Sequence, residues 1–110
     1  MSVTEKGKVD GIATTKDGNG IVLLISDHLE WKDEYKHLVT LQDKINAYIS
    51  FMESGQYKKV YKGKKFKYGI IEIHFLYEPT EKAEKFLNTV QEQVRESGIQ
   101  IRAVVSGDGD

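Results

Sequence analysis

Between Asp27 and Trp31 the chain holds an acid, an imidazole, a second acid and its one tryptophan. The segment, S-D-H-L-E-W from Ser26, ends an apolar run at Ile21 to Ile25 and leads into a long helical pattern. Carboxylates and imidazoles grouped like this are the ligand types of a divalent-metal site. At 100° per residue, Glu30, Glu34 and His37 fall within one quadrant of the helix, and Asp27 or His28 could fold back to join them. Asp27, His28, Glu34 and His37 are therefore the candidate metal ligands. A structural reading competes for the same residues. An aspartate just ahead of a helix accepts from free backbone N–H groups, and Glu30 in the first turn meets the positive end of the dipole. Trp31 would then open the buried stripe with its N–H on a polar neighbour. No histidine pair one turn apart marks a dedicated site, and no motif implies a cofactor. Glu34 falls near the middle of the stripe, where a buried carboxylate needs a donor.

A second candidate is chemical in another way. In Y-K-K-V-Y-K-G-K-K-F-K-Y, residues 57–68, Lys58, Lys59, Lys62, Lys64, Lys65 and Lys67 alternate with aromatic residues. Cations for phosphates and rings for bases are the equipment of a single-stranded nucleic-acid binder. Arginine, the better base-reading cation, is absent from the segment, and the rest of the chain is acidic. The competing reading is a lysine-protected loop or edge strand with its rings packed inward.

The elements that must position these groups follow from periodicity. Val9 to Thr14 and Ile21 to Ser26 flank K-D-G-N-G, the composition of a tight hairpin turn. The D-G-N-G within it lacks the alternating oxygen ligands and closing glutamate of a calcium loop. From Trp31 to about Ser54, Trp31, Tyr35, Leu38, Leu41, Ile45, Tyr48, Ile49 and Met52 recur at three- and four-residue steps, which predicts one long helix stopped by Gly55. Gln42 and Asn46 flank that stripe, placed to tie the helix to a strand or to line a small pocket. Ile70 to Tyr77 alternates as a strand, with Ile71, Ile73, Phe75 and Tyr77 on one face. A second helix starts at Thr80 as N-cap, buries Ala83, Phe86, Leu87, Val90 and Val94, and ends at Gly98. Ile99 to Val105 is the last strand. The order β-β-α-β-α-β predicts an α+β fold, a four-stranded mixed sheet with two helices on one face. A right-handed crossover makes the last two strands parallel, adjacent or with one strand between.

A sheet covered on one side alternates cleanly, and this one does not. If Ile21, Leu23 and Ile25 face the helices, Val22 and Leu24 face away. Ile70, Leu76 and Val104 join them, edged by Glu72, His74, Arg102 and Asp10. Such a patch reads as an association surface, unless the N-terminal arm or the loop after the first helix covers it.

The segments V-L-L-I-S-D-H-L-E-W, H-L-V-T-L-Q-D-K-I-N-A-Y-I-S-F-M-E-S-G-Q and Y-E-P-T-E-K-A-E-K-F-L resemble a family of small bacterial proteins of unknown function. The resemblance runs from about Val9 to Val105. It implies the same fold and a bacterial source, and carries no activity, ligand or catalytic residue to transfer.

Composition narrows what these surfaces can do. A chain of 110 residues fits one domain, with an ordered core expected from about residue 8 to residue 105 and a flexible tail over residues 106–110. With 16 Lys and Arg against 17 Asp and Glu, the net charge of −1 supplies no global field for nucleic acid or membrane. Cysteine is absent, which removes thiolate metal sites and cysteine nucleophiles and fits a reducing cytoplasm. Ile21 to Ile25 is too short to span a bilayer, so no membrane role is expected. No serine, histidine and acid arrangement and no phosphate loop is present. The sequence therefore points to a non-enzymatic cytoplasmic binding or regulatory module, acting on a protein partner or as a homodimer through Val22, Leu24, Ile70, Glu72, His74, Leu76, Arg102 and Val104.

Overall fold

The computed structural model describes residues 2–105; the expected tail lies outside the described residues. The chain forms β1 (Gly11–Thr14), β2 (Gly20–Asp27), α1 (Glu34–Glu53), a short 3-10 turn (Gln56–Lys59), β3 (Tyr68–Phe75), α2 (Glu81–Val94), a second 3-10 turn (Arg95–Ser97) and β4 (Ile99–Val105). The α+β order β-β-α-β-α-β is the one the periodicities predict. Strand order across the sheet is β1-β2-β3-β4. The hairpin β1–β2 is antiparallel, and β3 lies parallel to β2 and to β4, which settles β3 and β4 as neighbours.

Both helices pack on one face. Leu41, Ile45 and Tyr48 of α1 and Leu87, Val90 and Val94 of α2 share a core with Ile21, Leu23, Ile25, Ile71, Ile73, Phe75 and Ile99. Thr80 caps α2 by accepting from the Ala83 N–H at 3.1 Å. Gly55 and Gly98 close the two helical segments at φ 78° and 74°, a left-handed conformation that side chains with a Cβ resist.

Three boundaries differ from the periodic reading. Helix α1 begins at Glu34, with the Asp33 carboxylate accepting from the Lys36 N–H. Trp31 precedes it, so a stripe phased from Trp31 misplaces Tyr35, which is 76% exposed. The buried face instead runs through His37, Leu41, Lys44, Ile45 and Tyr48, and Tyr35 lies two residues, about 200°, from His37. Strand β3 ends at Phe75, leaving Leu76 and Tyr77 exposed beyond it. The core also reaches further toward the N-terminus than residue 8, for Val3 is buried in it and its N–H donates to the Ser26 carbonyl.

Candidate interaction surfaces

The corner that opens α1 is a closed polar knot. Asp27 sits at the last position of β2, on the helix side, and its side chain is fully buried with that of His37. His37 Nε2 lies 2.8 and 2.7 Å from the two Asp27 oxygens, and Nδ1 donates to the Glu30 carbonyl at 3.1 Å. Both nitrogens thus face oxygens and are satisfied inside the protein. The Asp27 carboxylate also accepts from the Leu29 N–H. Trp31 stacks on the imidazole with centroids 3.6 Å apart, and its Nε1 donates to the Tyr77 carbonyl.

The expected metal quartet does not assemble. Asp27 and His37 are spent on each other, His28 is exposed, and Glu34 is half-buried at the first residue of α1. Among the described residues no three His, Asp or Glu side chains are placed to hold a metal ion. Nor does Asp27 cap the helix; Asp33 does. Gln42 and Asn46 are exposed and line a groove between α1 and α2 rather than reaching a strand.

The face of the sheet away from the helices carries the other candidates. Cross-strand register sets Ala13, Val22, Ile70 and Gln100 in one row. Gly11, Leu24, Glu72 and Arg102 form the next, and Ser26, His74 and Val104 the third. The face is therefore apolar through Ala13, Val22, Leu24 and Ile70 and polar through Glu72, His74 and Arg102. Leu76 follows the last residue of β3, exposed, with its N–H donating to the Asp27 carbonyl, and the polar trio separates Val104 from Val22 and Leu24. Glu72 accepts from Arg102 Nη1 at 3.1 Å and pairs with His74 Nε2 at 2.7 Å. The hydrogen bond from His74, reinforced by Arg102, holds the Glu72 carboxyl below the usual glutamate range against an opposing desolvation.

The contacts of both expected covers lie on the core, although Ile70 on this face is itself buried. The N-terminal arm turns to the helix side, where Val3 joins the core and Lys44 of α1 binds the Glu5 and Lys8 carbonyls at 2.6 Å each and Asp10 Oδ1 at 3.0 Å. Asp10 belongs to that buried pair and does not edge the patch; its other oxygen accepts from the Ser26 N–H. The loop after α1 likewise packs Tyr57, Tyr61 and Phe66 onto the core.

In that loop, Phe66 meets Tyr57 and Tyr61 edge-to-face, with centroids 5.4 and 5.7 Å apart. All six lysines of the segment are exposed. Tyr68 lays its ring against Gly20, where an added Cβ would come within 2.3 Å of it, and its hydroxyl bonds Thr15 and Asp17 of the hairpin turn.

A family model described as "Family of unknown function (DUF6572)" matches residues 1–107. The chain belongs to this family. No curated protein and no solved structure matches it. For this DUF6572 member the functional reading therefore rests on its surfaces. Among the described residues no helix is long and apolar enough to cross a membrane.

Sequence reasoning missed Lys44 altogether. A lysine is expected in water, yet its place three residues after Leu41 and four before Tyr48 put it on the buried face of α1. That angle was the available signal. Tyr48 lies in the core as the stripe predicts, and its hydroxyl is also a bridge: it donates to the Leu24 carbonyl and accepts from the Asp10 N–H, and burial raises its pKa far above the ordinary tyrosine value.

Proposed function

We propose that this protein is a protein-binding module that works through the open face of its sheet, with a second copy of the chain as the first partner to test. The supporting observation is the two-part face. Half-buried Val22 and Leu24 sit on it beside the buried Ile70 and the small residues Gly11 and Ala13, while Glu72, His74 and Arg102 form a fixed polar group next to them. Apolar area left in water forgoes about 25 cal/mol per Å², so the uncovered parts of Val22 and Leu24 favour cover. The polar group adds orientation, because a partner must meet those side chains in register. In a two-fold dimer the same patch serves both sides, so each substitution acts twice.

Sedimentation velocity of the parent and of Leu24→Lys and Val104→Glu tests the reading. The parent sediments as a dimer, and either variant, with an unchanged circular dichroism spectrum, as a monomer. A parent that stays monomeric at high concentration removes self-association and leaves a different protein as the partner for this face. Dimers that withstand both substitutions place the contact elsewhere.

A further inference from the structure

The six lysines of residues 57–68 carry a charge that the fold leaves largely unanswered. With them set aside, 10 Lys and Arg remain against 17 Asp and Glu, so the rest of the chain has a formal charge of −7 and this segment alone +6. None of the six ammonium groups forms a close ion pair or hydrogen bond among the described residues, and only Lys67 acts on an acid, Asp17, at longer range. Protection of an edge strand does not account for them. The segment is a 3-10 turn and an irregular loop, and the strand it enters, β3, is interior to the sheet. Nor is it an unanchored polar loop, because Tyr57, Tyr61 and Phe66 pin it to the core and hold the cations on a built platform.

The hairpin turn lies against the same end of the sheet, with the Lys67 N–H donating to the Asn19 carbonyl, so Lys16 adds to this pole. The nearby Asp17 is already engaged by hydrogen bonds from Thr15, Asn19 and Tyr68, which with the charge of Lys67 hold its carboxyl below the usual range. Beside the cations a groove of about 160 Å³ opens over Met52, lined by Tyr57, Phe66, Lys67 and Ser97 and by one acid, Glu53. That volume suits one flat ring rather than a whole drug-sized ligand. A concave slot beside Tyr57 and Phe66, with Lys67 at its wall and the other lysines on the same loop, fits a base and its phosphates better than it fits a lipid surface, which would ask for protruding apolar side chains. Val60, 58% exposed, is the one large apolar side chain of the loop that protrudes.

We propose that this pole binds single-stranded nucleic acid without sequence preference, the lysines along the phosphates and one base in the groove. The site is separate from the open sheet face and does not depend on its reading.

The test is fluorescence anisotropy of a labelled oligothymidylate against salt, for the parent, for Lys62→Gln/Lys64→Gln/Lys65→Gln and for Ser97→Phe, with anionic phosphatidylserine vesicles as a parallel probe. The triple variant changes exposed side chains only and keeps its fold. It should weaken binding and lower the log–log salt slope by about two, at about 0.7 per phosphate contact on a single strand. Ser97→Phe fills the groove and should weaken binding about five-fold or more at an unchanged slope, the size of one lost stacking contact. If Ser97→Phe alters the circular dichroism spectrum, Ser97→Leu takes its place. Leu24→Lys should bind as the parent does, which separates this site from the sheet face. Absent oligonucleotide binding at low salt, binding of vesicles alone, or an oligonucleotide affinity untouched by the triple variant each overturns the proposal.

Discussion

Two histidine–carboxylate pairs lie on opposite faces of one sheet, and they differ in nothing so much as their access to water. Asp27 and His37 are sealed, with side chains 0% and 2% exposed, while Glu72 and His74 retain 18% and 40%. In the sealed pair every polar atom finds a partner inside the protein, from Leu29 N–H on one side to the Glu30 carbonyl on the other. Nothing is left over to bind a ligand, so the pair fastens the end of β2 to the start of α1. In the open group Glu72 is oriented by Arg102 and His74, yet all three keep a side toward solvent. The same chemistry is thus a fastener under the helices and an available surface away from them.

That contrast breaks most sharply at His37. His37→Ala leaves the Asp27 carboxylate buried without its main partner and should cost about 3–5 kcal/mol of stability in urea unfolding. A loss below 1 kcal/mol would mean that water reaches Asp27 and that the two pairs are alike. Lys44→Met comes next. It strips three acceptors of their ammonium and should cost about 2–4 kcal/mol, with faster amide exchange at Val3 as the N-terminal arm loosens. Exchange at Val3 unchanged against the parent would show the arm held by its apolar contact alone.

The smallest effect belongs to the open side. Glu72 has its folded pKa depressed, so its contribution is present above the ordinary glutamate range and is lost as pH falls through that range to the folded value. Glu72→Gln should reduce stability at neutral pH by no more than about 1 kcal/mol, because the group is partly screened by solvent. The variant should also show a flatter decline of stability in acid than the parent. An equal acid slope in both would assign that slope to other carboxylates.

Local signals carried most of the fold. Thr80 ahead of an acidic first turn, Gly55 and Gly98 after apolar stripes, and alternation through Ile71, Ile73 and Phe75 each act within a few residues, where propensity and periodicity operate. The failure of Val22 and Leu24 to alternate with polar residues was legible for the same reason. What joins distant segments was not. Asp27 and His37 are ten residues apart, and their pairing depends on where β2 stops and how α1 enters the core, neither of which a one-dimensional pattern encodes. Tyr35 was misplaced because the apolar repeat continues past the point where the helix begins. Lys44 was overlooked because charge is a weaker guide to burial than angular position when backbone carbonyls from another segment stand ready to accept.

The strand order β1-β2-β3-β4 repeats the order of the chain, and this shapes how the protein is made. The hairpin closes over a few residues, whereas β2 waits for β3 across the whole of α1 and the basic loop, about forty residues. At ribosomal speeds of roughly 5–20 residues per second the free edge of β2, the most apolar strand of the sheet, stands open on the order of seconds. Each later strand then adds to the edge just formed, so the sheet grows without threading. Loop-closure entropy makes the pairing of β3 the most costly of the sheet, and β2 has an unpaired edge while that closure is pending.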